Sequence, residues 1–135
     1  MDIIKILVVD DEEEICDLTR SFLRKKNYCT LGATSRHQAL ELVKKEDPHI
    51  VLLDLRLGQD SGLDVLSEIK SIDKNIKVIM VTALDDEATI RQAKYLGADD
   101  YIAKPFTAAY LNNLILQKIS SLNLQQKKSD EKENC

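Results

Sequence analysis

Short apolar runs alternate with longer segments of helical periodicity along this chain, and this alternation limits the possible folds more than any other feature. Residues 3–9, 50–53 and 76–81 are nearly continuous Ile, Leu, Val and Met, as expected of parallel strands covered on both faces. Residues 28–31 and 101–103 are shorter or more polar runs, which is typical of strands at the edge of a sheet. Five segments with apolar residues three and four positions apart predict five helices.

Strands that alternate with helices predict βαβ units and a parallel sheet. With right-handed crossovers and the second and fifth strands at the edges, we predict an α/β fold: a flavodoxin-like, doubly wound, five-stranded parallel sheet of order 2-1-3-4-5 with five helices. In that order the winding reverses between strands one and three, and ligand sites form beyond the carboxyl ends of the strands. Asp10, Asp11 and Asp54 follow or end those two strands.

Length and charge narrow the class of protein further. The 135 residues predict one domain over 1–124 and a flexible polar tail over 125–135, because the tail has no apolar period with which to bury surface. A formal net charge of −4 opposes direct binding of nucleic acid or an anionic membrane. No apolar run is long enough to span a membrane and the first residues do not resemble a signal peptide, so we predict a cytoplasmic location.

The three aspartates predict a cation site. Two unit charges about 4 Å apart repel by roughly 4 kcal/mol at an effective dielectric constant near 20, so a positive group must lie among them. Mg²⁺ is commonly held by one or two carboxylates, waters and a phosphate oxygen. Asp10 and Asp11 could instead only favour the positive end of the first helix, together with the glutamates at 12–14. Asp54 is harder to explain in this way, because Asp is rare in strands and this one ends an apolar run.

Two more polar residues are predicted at the same edge of the sheet. Thr82 ends the fourth apolar run and Lys104 follows the fifth. Each alone could be a strand residue or a solvated charge. A hydroxyl and an ammonium that face a carboxylate cluster are, however, what phosphoryl transfer to an aspartate requires, with Asp54 as the covalent nucleophile.

From Lys5 to about Leu122 the chain resembles the receiver domains of two-component response regulators. The family pattern is an acidic pair after the first strand, a phosphorylated Asp after the third, Thr or Ser after the fourth, and Lys-Pro after the fifth. All of these positions are filled here, by Asp10-Asp11, Asp54, Thr82 and Lys104-Pro105.

The resemblance implies a role for each of these residues. Asp54 would receive a phosphoryl group from the phosphohistidine of a histidine kinase or a phosphotransfer protein. Asp11, Asp54 and the backbone carbonyl of Arg56 would ligate Mg²⁺ directly, and Asp10 would act through a metal-bound water. Thr82 and Lys104 would bind the phosphoryl oxygens. The Lys104–Pro105 peptide would be cis, as in the family.

The resemblance also implies a switch and an output. Movement of Thr82 would turn Tyr101 inward and change the face made by the fourth helix, fifth strand and fifth helix. A downstream target or an output domain would bind that face. The domain would catalyse only its own phosphorylation and dephosphorylation, so we do not predict an enzyme with a separate substrate. Whether it acts alone or as part of a larger regulator is left open.

Three features of the sequence modify this interpretation. Gly58 stands where the family more often has Pro, and since the loop length is unchanged we expect only its stiffness to differ. Arg56 and Leu84 are predicted to tune the lifetime of the phosphoryl group. His37 and His49 lie away from the site in this topology and are predicted to be solvated.

Two alternative functions are weighed against the signalling phosphoacceptor. A pseudo-receiver would bind partners without phosphorylation, although it would have no need for all of the site residues. A flavodoxin-type electron carrier would share the winding but needs a Ser-, Thr- or Gly-rich loop after the first strand to bind phosphate. The acidic residues 10–14 at that place would repel it.

Overall fold

The computed structural model describes residues 3–83 and 87–120. Its main sheet is parallel and contains β1 (Lys5–Val9), β2 (Cys29–Ala33), β3 (Ile50–Asp54), β4 (Lys77–Thr82) and β5 (Asp100–Ala103). The helices are α1 (Glu13–Lys25), α2 (Arg36–Glu46), α3 (Gly62–Ile72), α4 (Glu87–Tyr95) and α5 (Ala108–Ile119). The predicted tail, 125–135, lies outside the described residues.

The strands lie in the order β2-β1-β3-β4-β5, which confirms the predicted flavodoxin-like winding. Alternate residues of the central strands enter opposite layers, because side chains alternate along a strand. Leu7, Val51 and Met80 pack in the core that α2, α3 and α4 cover. Ile6 and Ile50 pack in the core that α1 and α5 cover. The continuous apolar runs are therefore explained by burial on both faces of the sheet.

A small antiparallel hairpin that the sequence did not predict lies between β3 and α3. It pairs Arg56–Leu57 with Asp60–Ser61 and is named here the 56–61 hairpin. The hairpin follows the carboxyl end of β3 directly, and Ser61 then caps α3 by accepting a hydrogen bond from the Leu63 amide. The backbone around the end of β3 is thus built into a defined structure rather than an open loop.

His49 lies directly before β3 and is buried, so its prediction as a solvated histidine was wrong. Only 3% of its surface is exposed, and its Nδ1 accepts a hydrogen bond of 3.0 Å from the backbone N–H of Lys5. Lys5 is also buried and forms a 3.3 Å ion pair with Glu46, the last residue of α2. The His49 ring therefore satisfies a buried backbone donor at the amino end of the sheet, opposite the predicted site.

We expect His49→Ala to lower the free energy of unfolding by about 2–4 kcal/mol, because it leaves a cavity and an unsatisfied buried N–H on Lys5. Urea denaturation followed by circular dichroism measures this loss. His37→Ala is the matched control: His37 is exposed, so its loss is expected to stay within about 0.5 kcal/mol. Equal losses in the two variants would contradict the structural role of His49.

Within the described ranges, no helix combines the length and the apolar character that crossing a membrane requires.

Candidate functional site

The predicted site residues meet at one edge of the sheet. Asp54 ends β3 and Thr82 ends β4, while Asp10 and Lys104 come directly after β1 and β5. Because all four strands are parallel, these residues share the carboxyl edge. A cavity of about 390 Å³ opens there, lined by Asp11, Glu12, Asp54, Leu55, Arg56, Thr82, Ala83 and Lys104.

The Lys104 ammonium joins two of the carboxylates. Its Nζ lies 3.0 Å from Oδ2 of Asp54 and 3.2 Å from Oδ2 of Asp10. The Asp10 and Asp54 side chains are 7% and 13% exposed, so both charges are largely removed from water and depend on this partner. The backbone N–H of Lys104 donates to the Thr82 carbonyl at 2.7 Å, and the Lys104–Pro105 peptide is cis.

The pKa values of this pair both lie above their usual values. Burial raises the pKa of Asp54, and this effect outweighs the hydrogen bonds from Lys104 and from the Arg56 backbone N–H, which lower the pKa. Burial acts to lower the pKa of Lys104, but the hydrogen bond and charge of Asp54, with the charge of Asp10, raise it overall. Both groups therefore hold their protons more tightly than in water. For Asp54 the main cause is burial, with a smaller contribution from the charge of Asp10, and a further positive charge beside it would favour the ionised carboxylate.

A second cluster of oxygens lies beside this pair. Carboxylate oxygens of Asp10, Asp11 and Glu12 all fall within 4.8 Å of one another. The backbone N–H of Glu12 donates to Oδ1 of Asp10 at 2.9 Å. Hard anionic oxygens at this spacing are the ligands that Mg²⁺ or Ca²⁺ prefers, so the residues present fit a divalent cation. Glu12 was predicted only as a helix-capping charge; its place one residue before α1 is what brings it to the cluster.

The loop after β3 completes the surroundings of Asp54. The Arg56 backbone N–H donates to Oδ1 of Asp54 at 3.3 Å, while the Arg56 side chain is exposed. The backbone N–H of Gly58 donates to Oδ2 of Asp11 at 3.0 Å. Leu84, predicted to act with Arg56 on phosphoryl lifetime, lies outside the described residues.

Tyr101 lies on β5, away from the acidic cluster. Its side chain is partly exposed, and the Lys94 ammonium of α4 lies 5.9 Å from the centre of its ring. Tyr101 also lines a cavity of about 460 Å³ between β5 and α5, together with Phe106 and Tyr110. Its predicted action as a switch with Thr82 stays a prediction.

Fold and site together define a class: a doubly wound α/β protein with a cluster of acidic residues, able to hold a cation, at the point where the winding reverses. The family model of the response regulator receiver domain matches residues 6–116, and the chain belongs to that family. It is a signalling domain of two-component systems.

Individual relatives agree with this assignment. The sporulation initiation phosphotransferase F of Bacillus subtilis (strain 168) is 42% identical over 102 residues, which cover 76% of this chain and 82% of that protein. The structure of a CheY-like receiver domain protein from Methanospirillum hungatei JF-1 matches with a TM-score of 0.85 and 28% identity, covering 88% of this chain and 95% of the other. The receiver domain of NtrX from Brucella abortus matches with a TM-score of 0.81 and 33% identity over 86% and 98%.

Proposed function

We propose that this receiver domain accepts a phosphoryl group on Asp54 in a Mg²⁺-dependent reaction and passes the signal to an output partner. The observation that carries the proposal is the pairing of Asp54 with Lys104 at 3.0 Å, in a cavity that Thr82 and the acidic residues also line. Nucleophile, ammonium and hydroxyl are the groups that phosphoryl transfer to a carboxylate needs.

In the proposed transfer, an oxygen of the Asp54 carboxylate attacks the phosphorus of a phosphohistidine. The new O–P bond forms as the N–P bond breaks, and the electron pair of that bond returns to the donor imidazole. Lys104 neutralises the phosphoryl oxygens in this proposal, and the contact of its Nζ with Asp54 supports that role. Thr82 supplies a hydroxyl donor from the neighbouring strand.

The cation would be held by Asp10, Asp11 and Asp54 with the carbonyl of Arg56, and Glu12 lies close enough to join them. When bound, it would neutralise the charge that gathers on the phosphoryl oxygens. The excess of carboxylates over the single ammonium favours its binding.

The donor in this proposal is a histidine kinase or a phosphotransfer protein in the cytoplasm. Thr82 and Tyr101 act as the switch, and the output partner binds the face made by α4, β5 and α5. The added charge of about −1.5 to −2 on Asp54 draws Thr82 and Lys104 toward it, which is the physical origin of the change.

Acetyl phosphate tests the proposal directly. With Mg²⁺, the chain is expected to gain one phosphoryl group, measured by intact-mass spectrometry and removable by hydroxylamine as an acyl phosphate should be. With excess chelator, incorporation is expected to fall to background. A chain that stays unlabelled with Mg²⁺, although folded by circular dichroism, would favour the pseudo-receiver and contradict the proposal.

A further inference from the structure

The tip of the 56–61 hairpin has a backbone that few residues can adopt. Gly58 has a φ of 62°, while the φ of Gln59 is not positive. These two residues connect the paired positions Leu57 and Asp60. In a two-residue hairpin turn of type II′, only the first of the two residues has a positive φ, and that residue is normally glycine. The φ values of Gly58 and Gln59 follow this pattern.

Conformation rather than space explains the glycine. A Cβ built on Gly58 would meet no atom within 4 Å, so a larger residue would fit. Proline could not take the backbone conformation of Gly58, because its ring fixes φ near −65°. Proline would also have no N–H to donate at this position. The departure from the proline that the family more often has here therefore changes more than loop stiffness, which was all that the sequence predicted. It provides a backbone donor at the edge of the site.

That donor is used. The Gly58 N–H donates to Oδ2 of Asp11 at 3.0 Å, across 47 positions of sequence. The bond joins the loop after β3 to the loop after β1, and these two loops carry the predicted cation ligands. Asp11 is exposed, so without a partner its carboxylate would sample several rotamers. The hydrogen bond holds it in one orientation beside Asp10 and Glu12.

We propose that the Gly58 amide is a positioning group for the divalent cation: it holds the Asp11 carboxylate ready and so raises the affinity of the site. This inference rests on the proposed function, since it assumes that the acidic cluster binds Mg²⁺. Ordering a ligand before the cation arrives removes an entropic cost from binding.

Calorimetric titration of the unphosphorylated chain with Mg²⁺ tests this inference on Gly58→Pro and Gly58→Asn. The proline variant loses both the donor and the turn, and its Kd is expected to be about three- to tenfold weaker than that of the wild type. Asparagine keeps the N–H and tolerates a positive φ, so its Kd is expected to stay within about twofold. Equal affinity in the two variants, or tighter binding by the proline variant, would overturn the inference.

Amide exchange of the wild-type chain gives an independent test that needs no variant to fold. If the Gly58 N–H holds Asp11 in the loaded site, its exchange with solvent is expected to slow when Mg²⁺ is added. An exchange rate that stays constant or rises would overturn the inference. A wild-type chain that binds no Mg²⁺ would instead contradict the proposed function, so the two failures can be told apart.

Discussion

Asp54→Asn is expected to reduce phosphoryl incorporation from acetyl phosphate by at least about a hundredfold, to background, because the amide is a far weaker nucleophile than the carboxylate. Intact-mass spectrometry with Mg²⁺ present measures the loss. The side chain keeps its size, and the Lys104 ammonium keeps Asp10 as a partner at 3.2 Å. The variant is therefore expected to fold, which circular dichroism checks.

The control makes the same chemical change at another aspartate. Asp64 is exposed in the first turn of α3, outside the residues that line the site cavity. Asp64→Asn is expected to label as well as the wild type. Full labelling of Asp54→Asn would show that another residue accepts the phosphoryl group, and the assignment of the nucleophile would then be wrong.

The winding of the sheet could be predicted because burial leaves a strong pattern in the sequence. The three inner strands, β1, β3 and β4, are covered on both faces, so their apolar runs are nearly continuous. The edge strand β2 contains fewer large apolar residues. Once the edge strands are known, the rule that crossovers are right-handed leaves few possible strand orders. The meeting of Asp10, Asp54 and Lys104 then follows, since the ends of parallel strands share one edge.

The features that the sequence did not reveal depend on tertiary contacts or on a single torsion angle. His49 follows a proline and precedes β3, a position that gives no information about burial; its contact with the backbone N–H of Lys5 joins residues 44 positions apart and depends on the tertiary structure. The 56–61 hairpin depends on the φ of Gly58, and two-residue strands are too short to leave a periodic pattern. A glycine within a loop is compatible with many turns.

Gly62→Ala is expected to destabilise the domain by about 3 kcal/mol or more, the largest effect that we expect from adding one methyl group. A Cβ on Gly62 would lie 2.2 Å from the backbone oxygen of Asp54 and 2.8 Å from the Cα of Leu55. Both contacts are with main chain, which cannot rotate away. The Gly62 N–H also donates to the Leu55 carbonyl at 2.7 Å, so this close approach fixes where α3 begins against β3.

The matched control for this substitution is Gly58→Ala, which adds the same methyl group where no atom lies within 4 Å. Gly58→Ala is expected to lower the free energy of unfolding by about 1–2 kcal/mol, because of the positive φ alone. Urea denaturation compares the two variants. Because a Cβ on Gly62 would meet the backbone of Asp54, the proposed phosphoacceptor, relief of the clash is expected to displace α3 or the end of β3 that carries Asp54. Gly62→Ala is therefore also expected to gain phosphoryl groups from acetyl phosphate more slowly than Gly58→Ala. Equal free energies of unfolding in the two variants would contradict the close packing of α3 on β3.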